Sequence, residues 1–335
     1  MKTYMTLAIS AFVAAGTSYG AAAEEGGRLG YSAGFLTDPF QSVLVQQTLD
    51  TAKADGLETM PATNANGNAG KQISDMQNLI AGGATGIIVV ATDSQAVIPA
   101  IKAADSAGIP VVAIDMAPAG GKVAMIVRAD NVQMGRTACE ALGKAIGGEG
   151  KVLSLLGDQA TTNGRDRTTG FNDCMAKNFP SVEIIEQPTD WKADKAATAA
   201  QTVLSATPDL AAIYMQSDSV MLNGVLNALK SADKLKPRGE DGHVYTISID
   251  STPFALEQIR AGYLDAAVSQ PLDGYVKHGV DYMKRAMAGE TFSSGPTDHG
   301  SEIVMLGDNP MDMLSAPLVT PENVDDKALW GNAAK

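Results

Sequence analysis

Two aspartates stand at equivalent places in two similar stretches of the sequence. Asp115 ends the apolar run of "IPVVAIDMAP" (109–118), and Asp250 ends that of "HVYTISIDSTP" (243–253). Each run is rich in β-branched residues, which is typical of a buried strand, and a turn containing proline follows it. A carboxylate can accept hydrogen bonds from two hydroxyl groups at once. If the two strands belong to facing lobes, both carboxylates converge on one cleft that could hold a polyhydroxylated ligand.

Further aspartates follow predicted strands and have a simpler interpretation. Asp38, Asp93, Asp130 and Asp218 fall just past such strands. An aspartate in this position more often caps a helix or forms a turn than binds a ligand. We assign Asp93 and Asp218 mainly to that role, because a helical pattern begins directly after each of them.

The strands that carry these residues occur in two similar halves of the chain. "RLGYSAGFLTDPF" (28–40) pairs with "GKVLSLLGDQA" (150–160), and "GIIVVATDS" (86–94) pairs with "LAAIYMQSDS" (210–219). Helical patterns lie between them at 41–54, 71–81, 95–107, 168–178, 193–206 and 220–232. Alternating strands and helices predict parallel sheets with right-handed crossovers. We therefore predict an α/β fold of two similar lobes, each a parallel sheet flanked by helices, with a ligand cleft between them.

The N-terminus has the pattern of an export signal. Lys2 precedes an apolar stretch over 4–15, and small residues at Ala21 and Ala23 form an A-x-A cleavage site. The apolar stretch is shorter than the roughly 20 residues that span a membrane. We expect a signal peptide over 1–23, cleavage near Ala23 and a mature protein in the periplasm.

The mature chain is long enough for two domains, since single cores usually stop growing at about 250–300 residues. We predict an N-terminal lobe of 24–129 plus 271–298 and a C-terminal lobe of 130–270 plus 299–335. The chain then crosses between the lobes near 129–132, 270–271 and 297–303. The segment 301–313 looks like an addition to this hinge.

Composition narrows the partners and the chemistry. The net charge of −13 argues against a nucleic-acid surface, which needs clustered Lys and Arg. The three histidines have no metal-ligand spacing, and no phosphate loop or nucleophile elbow is present. We therefore expect no cofactor and no metal. Cys139 and Cys174 could form one bridge after export or stay two buried thiols, and contact between their two predicted helices would favour the bridge.

The chain resembles the periplasmic sugar-binding proteins of ABC importers, in particular the ribose-binding-protein-like group. The motifs that carry the resemblance are "DMQNLIAGGATGIIVVATDSQAVIPAIKAADSAGIPVVAIDMAP" (75–118), "GRDRTTGF" (164–171), "TDW" (189–191), "QSDSVMLNGVLNAL" (216–229) and "AAVSQPLDGY" (266–275). The resemblance implies a non-enzymatic receptor that closes around a monosaccharide or polyol and delivers it to a membrane permease. It also implies a monomer and leaves open a chemoreceptor as a second partner.

The resemblance also places a set of ligand-binding residues in the cleft. They are Asp38, Phe40, Asp115, Arg167, Trp191, Asp250 and Gln270, with Asp130, Asn131, Ser217 and Asp218 nearby. Aromatic rings suit the apolar face of a sugar, and charged side chains suit its hydroxyl rim.

Four positions depart from the pattern of the ribose binders. Gln41 stands where a second aromatic is usual, Met116 where Arg is usual, and Val90 and Ser217 where Asn is usual. The site has therefore lost one cationic group and several amides. These departures favour another pentose, a deoxysugar or a polyol over ribose itself.

Two other classes of function remain as alternatives. Asp115 and Asp250 could serve as the paired carboxylates of a secreted carbohydrate-active enzyme. A sensor component that binds a sugar-like signal would use the same cleft. A repressor with this fold would carry an N-terminal helix-turn-helix, where this chain has an export signal instead.

Overall fold

Two separate sheets, each flanked by helices, organise the chain. A computed structural model describes residues 27–333, so the predicted signal peptide and its cleavage site lie outside the described residues. The strands are β1 Arg28–Ala33, β2 Glu58–Thr59, β3 Thr63–Asn64, β4 Gly86–Val89, β5 Val111–Ile114, β6 Met125–Ala129, β7 Glu149–Leu156, β8 Ser181–Pro188, β9 Leu210–Met215, β10 Tyr245–Asp250, β11 Ala266–Ser269, β12 Gly295–Pro296, β13 Glu302–Leu306, β14 Asn309–Leu314 and β15 Leu318–Val319. The helices are α1 Pro39–Ala54, α2 Ala69–Ala81, α3 Ile98–Ser106, α4 Asn131–Ala145, α5 Thr162–Asn178, α6 Ala193–Ala206, α7 Asp218–Ser231, α8 Pro253–Ala261, α9 Leu272–Met287 and α10 Trp330–Ala333.

The first lobe is built on a nine-stranded sheet with the order β12-β13-β14-β6-β5-β4-β1-β2, in which β3 also pairs with β1. Its central strands run parallel, and β4, β5 and β6 are buried along their whole length. Such continuous apolar strands are expected where helices cover both faces of a sheet.

The second lobe is built on a six-stranded sheet with the order β15-β11-β10-β9-β7-β8. All of its pairs are parallel except β11 with β15. The predicted α/β fold with two mainly parallel sheets flanked by helices is thus confirmed.

The chain passes between the lobes three times, and one passage differs from the prediction. The first two passages follow β6 and β11, as predicted, but the third joins β14 of the first sheet to β15 of the second. It therefore runs through 315–317 rather than 297–303. The prediction that placed all of 299–335 in the second lobe is wrong for β13 and β14, which belong to the first sheet.

The physical reason is a hairpin that the sequence analysis took for a hinge addition. β13 and β14 pair antiparallel, and Gly307 in the short turn between them has φ 61°, a left-handed conformation that glycine adopts without strain. β14 then pairs in parallel with β6. The hairpin extends the first sheet because β14 buries most of its side chains there.

Two glycines let α4 and α5 approach at backbone distance in the second lobe. A Cβ added to Gly135 would lie 2.3 Å from the carbonyl oxygen of Arg167, and one added to Gly170 would lie 2.0 Å from that of Val132. Residues four positions further along lie on the same helix faces. Those residues are Cys139 and Cys174, whose Cα atoms are 6.2 Å apart and whose sulfur atoms are bonded. The predicted bridge is confirmed, and it fastens the crossing of the two helices.

Within 27–333, none of the helices combines the length and the apolar character that crossing a bilayer requires.

Replacing both Cys139 and Cys174 by Ser should lower the free energy of unfolding by about 3 to 4 kcal/mol, because the bridge closes a loop of 35 residues in the unfolded chain. Urea denaturation of the variant and of the oxidised wild type measures the difference. The wild type after reduction serves as the control and should resemble the variant. Two free thiols in protein isolated from an oxidising compartment, detected by mass spectrometry, would contradict the assignment.

Candidate ligand-binding cleft

The carboxyl ends of the strands in both sheets face one cleft. Asp115 follows β5 and Asp250 is the last residue of β10. Gln270 comes directly after β11, and Ser217 lies two residues past the end of β9. Asp38 precedes α1, where its carboxylate accepts a hydrogen bond from the N–H of Phe40 and caps the helix. The side chains thus meet where open parallel sheets usually bind ligands.

These side chains surround a cavity of about 230 Å³. Its lining includes Asp38, Phe40, Gln41, Asp115, Met116, Asn163, Arg167, Trp191, Ser217, Asp250 and Gln270. The lining holds eight of the ten residues predicted for the site. It adds Asn163, which the sequence analysis did not single out, and Gln41 and Met116, which it noted only as departures from the family pattern.

Asp115 is held by one amide from each lobe. Its Oδ2 accepts from Nε2 of Gln41 at 2.7 Å, and its Oδ1 accepts from Nδ2 of Asn163 at 2.8 Å. Burial raises the pKa of Asp115, and the charge of Arg167 and the two amides oppose that increase. Because both oxygens accept from N–H donors that cannot accept in return, Asp115 is bound here as a carboxylate.

Asp250 has one well-satisfied oxygen and one that is nearly free. Its Oδ2 accepts from the hydroxyl of Ser217 at 2.7 Å. Its Oδ1 has only distant neighbours, Nε2 of Gln270 at 3.4 Å and a guanidinium nitrogen of Arg167 at 3.9 Å. Burial raises the pKa of this carboxyl group, and the charge of Arg167 opposes the increase. Asp250 therefore lines the cavity with one oxygen that has only long contacts.

Both of these aspartates have strained backbones. Asp115 has φ 61°, Asp250 has φ 118°, and Ser251 has φ 62°. Left-handed conformations at non-glycine residues cost on the order of 1–3 kcal/mol each and concentrate at functional sites. A positive φ angle thus occurs at the equivalent aspartate of each lobe, which indicates that the function depends on the direction of the two carboxylates.

Asp38 lies across the cleft from Asp250 and shares its charge environment. Oδ1 of Asp38 accepts from the hydroxyl of Ser219 at 2.6 Å, and this bond joins the two lobes. Burial and the neighbouring charge of Asp250 raise the pKa of Asp38 to about 7, although hydrogen bonds from Ser219 and Phe40 oppose the increase.

Arg167 is the cation of the cavity, and α4 and α5 hold it in place. Its Nε donates to Oδ1 of Asn131 at 2.7 Å, and its Nη1 donates to the carbonyl oxygen of Gln216. The same guanidinium lies 5.7 Å from the centre of the Trp191 ring, a distance typical of a cation–π contact. Arg167 is therefore fixed as a donor at the floor of the cavity.

Two aromatic rings contribute apolar surface to the cavity. Phe40 packs edge-on against Trp330 with ring centroids 5.4 Å apart, which joins α1 of the first lobe to α10 of the second. The Trp191 indole lies against Gly157, where any Cβ would be only 1.9 Å from the ring. The two rings provide the flat surfaces that the apolar face of a sugar ring requires.

Two residues of the predicted set lie outside the cavity lining. Asn131 does not line the cavity, because its amide bridges Ala129 and Arg167 and holds the guanidinium from behind. Asp218 is also buried behind the cavity. Its carboxylate accepts from the backbone of Ser251 and from the backbone and hydroxyl of Thr252, so it shapes the strained turn after β10. Burial and the charge of Asp250 raise its pKa to about 7.

The lobes are in contact around the cavity. Arg128 of β6 forms an ion pair at 2.8 Å with Asp166 of α5, and the same guanidinium donates to Oδ1 of Asn163 at 3.0 Å. On the rim, the N–H of Ala117 donates to the hydroxyl of Thr162 at 3.1 Å. The structure thus has the cleft closed, and Asn163 links Arg128 directly to Asp115.

Comparison with known proteins agrees with this architecture. A family model described as "Periplasmic binding protein domain" matches residues 29–291. The ribose import binding protein RbsB of Salmonella typhimurium is 30% identical over 290 residues, which are 87% of this chain and 94% of that protein. The proteins of this family are solute receptors rather than enzymes, which argues against the carbohydrate-active enzyme.

Solved structures show the same similarity. An ABC transporter solute-binding protein from Mycobacterium smegmatis with bound glycerol is 28% identical with a TM-score of 0.77, over 90% of this chain and 96% of that one. The Caulobacter myo-inositol binding protein is 25% identical with a TM-score of 0.77, over 89% of this chain and 95% of that one. This chain therefore belongs to the periplasmic binding protein family, among the sugar-binding proteins that resemble the ribose import binding proteins.

Proposed function

We propose that the protein captures one monosaccharide or polyol by closure of its two lobes and delivers it to the membrane permease of an ABC importer. The observation that carries this proposal is the lining of the closed cavity. Asp38, Asp115, Asp250 and Arg167 supply polar contacts for a hydroxyl rim, and two aromatic rings supply apolar surface. The relatives support it, because their names and titles describe import binding proteins for ribose and apiose and receptors with bound myo-inositol or glycerol.

The contacts between the lobes favour a small ligand. Arg128 pairs with Asp166 across the cleft, and Asp38 bonds to Ser219 across it. The closed lobes surround the cavity, so an oligosaccharide would have no path out of it. The ligand is therefore a monosaccharide or a polyol of similar size.

The hydrogen bonds of Asp115 argue against a role as general acid. A glycosidase needs one protonated carboxyl group in that role. Both oxygens of Asp115 accept from amide N–H groups, an arrangement that favours the carboxylate. Asp115 is therefore suited to accept hydrogen bonds from hydroxyl groups.

The cellular role follows from the family and the N-terminal pattern. Export by a signal peptide over 1–23 would place the mature protein in the periplasm, where the family is found. The permease is the partner that the proposal requires. The expected monomer and a chemoreceptor as second partner stay predictions.

The purified mature protein should gain thermal stability from one or a few members of a panel of monosaccharides and polyols. A ligand that binds only the folded state adds about 2.7 kcal/mol at a hundredfold excess over Kd. Melting curves with each compound measure the gain, and the same mixtures analysed for products test turnover. Release of product from a glycoside by the pure protein would contradict the proposal.

Asp115→Asn and Asp250→Asn should each weaken ligand binding by about tenfold or more, because a hydrogen bond to a charged group is worth about 1.5–3 kcal/mol. Asparagine tolerates the left-handed backbone of Asp115, so the fold should remain intact. The melting temperature without ligand should stay the same or rise, since a buried anion is removed. Calorimetric titration and melting curves measure both quantities.

Asp93→Asn is the matched control for these two variants. Asp93 also follows a strand and accepts from the backbone N–H groups of Gln95 and Ala96, but it does not line the cavity. Binding should therefore be unchanged in the control. A loss of stability with unchanged affinity in Asp115→Asn or Asp250→Asn would show that these aspartates serve the fold alone.

A further inference from the structure

The cavity has an excess of negative charge. Three carboxylates, Asp38, Asp115 and Asp250, and one guanidinium, Arg167, line it, which leaves a formal charge of −2 when all four are ionised. The second buried guanidinium nearby, Arg128, is already paired with Asp166 outside the lining. Uncompensated charges in a closed cavity are unfavourable, because burial removes their hydration.

The excess is concentrated at Asp38 and Asp250. Arg167 lies within 3.9 Å of Asp250, whereas within the described residues no lysine or arginine forms an ion pair with Asp38. The Oδ2 of Asp38 accepts no hydrogen bond from any residue in 27–333, and Oδ1 of Asp250 has only long contacts. No cation is therefore paired with Asp38 in the described part of the chain, and each of the two side chains has one oxygen without a short hydrogen bond.

The two serine hydroxyls that connect Asp38 with Asp250 make three hydrogen-bonding contacts but have only two protons to donate. Asp38 contacts the hydroxyl of Ser219 at 2.6 Å, the hydroxyls of Ser219 and Ser217 are 2.9 Å apart, and Ser217 contacts Asp250 at 2.7 Å. Three contacts need three protons, and each hydroxyl supplies only one. With both carboxylates ionised, the two hydroxyls cannot make all three bonds, so the closed cleft needs a further proton or a nearby positive charge.

A further acceptor points to a ligand that is rich in donors. Oε1 of Gln41 is buried in the lining, with the residue 1% exposed, and has no hydrogen-bond partner in the described part of the chain. Its orientation is fixed, because Nε2 of the same amide donates to Asp115. A buried acceptor without a partner is costly unless a ligand donates to it.

We propose that the ligand is a polyhydroxylated ring that carries one ammonium group, and that this ammonium lies between Asp38 and Asp250. An ammonium supplies three donors and no acceptor. This matches the two carboxylate oxygens that lack a short hydrogen bond, and within the described residues no lysine or arginine is paired with Asp38. The inference rests on the proposed function, since it specifies which sugar or polyol the same cavity takes. The proposal also explains why Met116 stands where the ribose binders usually have arginine. An arginine at this position would cancel the negative charge of Asp38 that the ammonium requires.

The proposal predicts that the affinities for amino and for neutral ligands depend differently on pH. In the closed structure, burial and the charges of Asp250 and Asp115 raise the pKa of Asp38 to about 7, so closure around a neutral ligand favours the protonated form of this group. Affinity for a neutral ligand then falls as the pH rises through this interval, because ionised Asp38 disfavours closure. An ammonium beside Asp38 keeps this group ionised in the closed state, so affinity for an amino ligand does not fall over the same interval.

Calorimetric titration with matched pairs tests the proposal. Each pair consists of a hydroxyl compound and its amino counterpart: D-glucose with D-glucosamine, D-galactose with D-galactosamine, D-mannose with D-mannosamine, and myo-inositol with a monoamino inositol. In at least one pair the amino compound should bind about tenfold or more tightly than its hydroxyl partner. Repeating the titration below and above the pKa of about 7 for Asp38 should give the two pH profiles.

The variant Asp38→Asn tests whether the ligand is recognised by the charge of Asp38 or by the shape of its side chain. It should weaken binding of the amino compound by at least about tenfold more than it weakens binding of its hydroxyl partner. Asparagine still caps α1, so the fold is retained. Asp93→Asn, which removes a capping carboxylate outside the cavity, should change neither affinity.

The outcomes distinguish the two proposals. If hydroxyl compounds bind as tightly as their amino partners or more tightly in every pair that binds, the ammonium proposal is overturned while the sugar receptor stands. If Asp38→Asn weakens both members of the binding pair equally, Asp38 recognises shape and not charge, which also overturns it. If no amino compound of these pairs binds, the ammonium proposal is contradicted, and the wider panel of monosaccharides and polyols decides on the sugar receptor separately.

Discussion

The structure depends on carboxylates that are buried where two sheets face each other. Asp115 and Asp250 emerge at the carboxyl ends of apolar strands, each with a left-handed backbone, and burial raises the pKa of both. Neither lobe alone satisfies them: Asp115 takes one amide from each lobe, and Asp250 keeps a nearly free oxygen. Closure is favourable only when something supplies donors between the lobes, so ligand binding and closure are one equilibrium.

The scaffold of the second lobe is arranged to keep one cation in the cavity. The contact of Gly135 and Gly170 brings α4 and α5 to backbone distance. On one side of that contact, the bridge between Cys139 and Cys174 fastens the two helices, and on the other, Asn131 of α4 holds Arg167 of α5. The contact between α4 and α5 therefore contributes both to the stability of the second lobe and to the position of Arg167. The disulfide acts on the site only through the position of these helices.

The strand pattern was sufficient for the two-lobed α/β fold and for Asp38, Asp115 and Asp250, because strand ends locate the edge of a sheet. The other five predicted residues of the cavity lining came from the family resemblance. The sequence was insufficient for features that depend on contacts between residues far apart in the sequence. Asn163 was missed since the helix was predicted to begin at 168, whereas it begins six residues earlier at Thr162. The spacing of four between Asn163 and Arg167 would have placed both on one face. The hairpin of β13 and β14 was assigned to the wrong lobe because short strands show their partners only in three dimensions.

The central claim is that the carboxylates keep the lobes apart until a ligand bridges them. Small-angle X-ray scattering of the mature protein, with and without a saturating ligand from the titration panel, tests it most directly. The account predicts a larger radius of gyration without ligand, and with ligand a scattering curve that matches the closed structure. The same closed-form curve in both conditions would contradict it, because closure would then need no donor between Asp115 and Asp250.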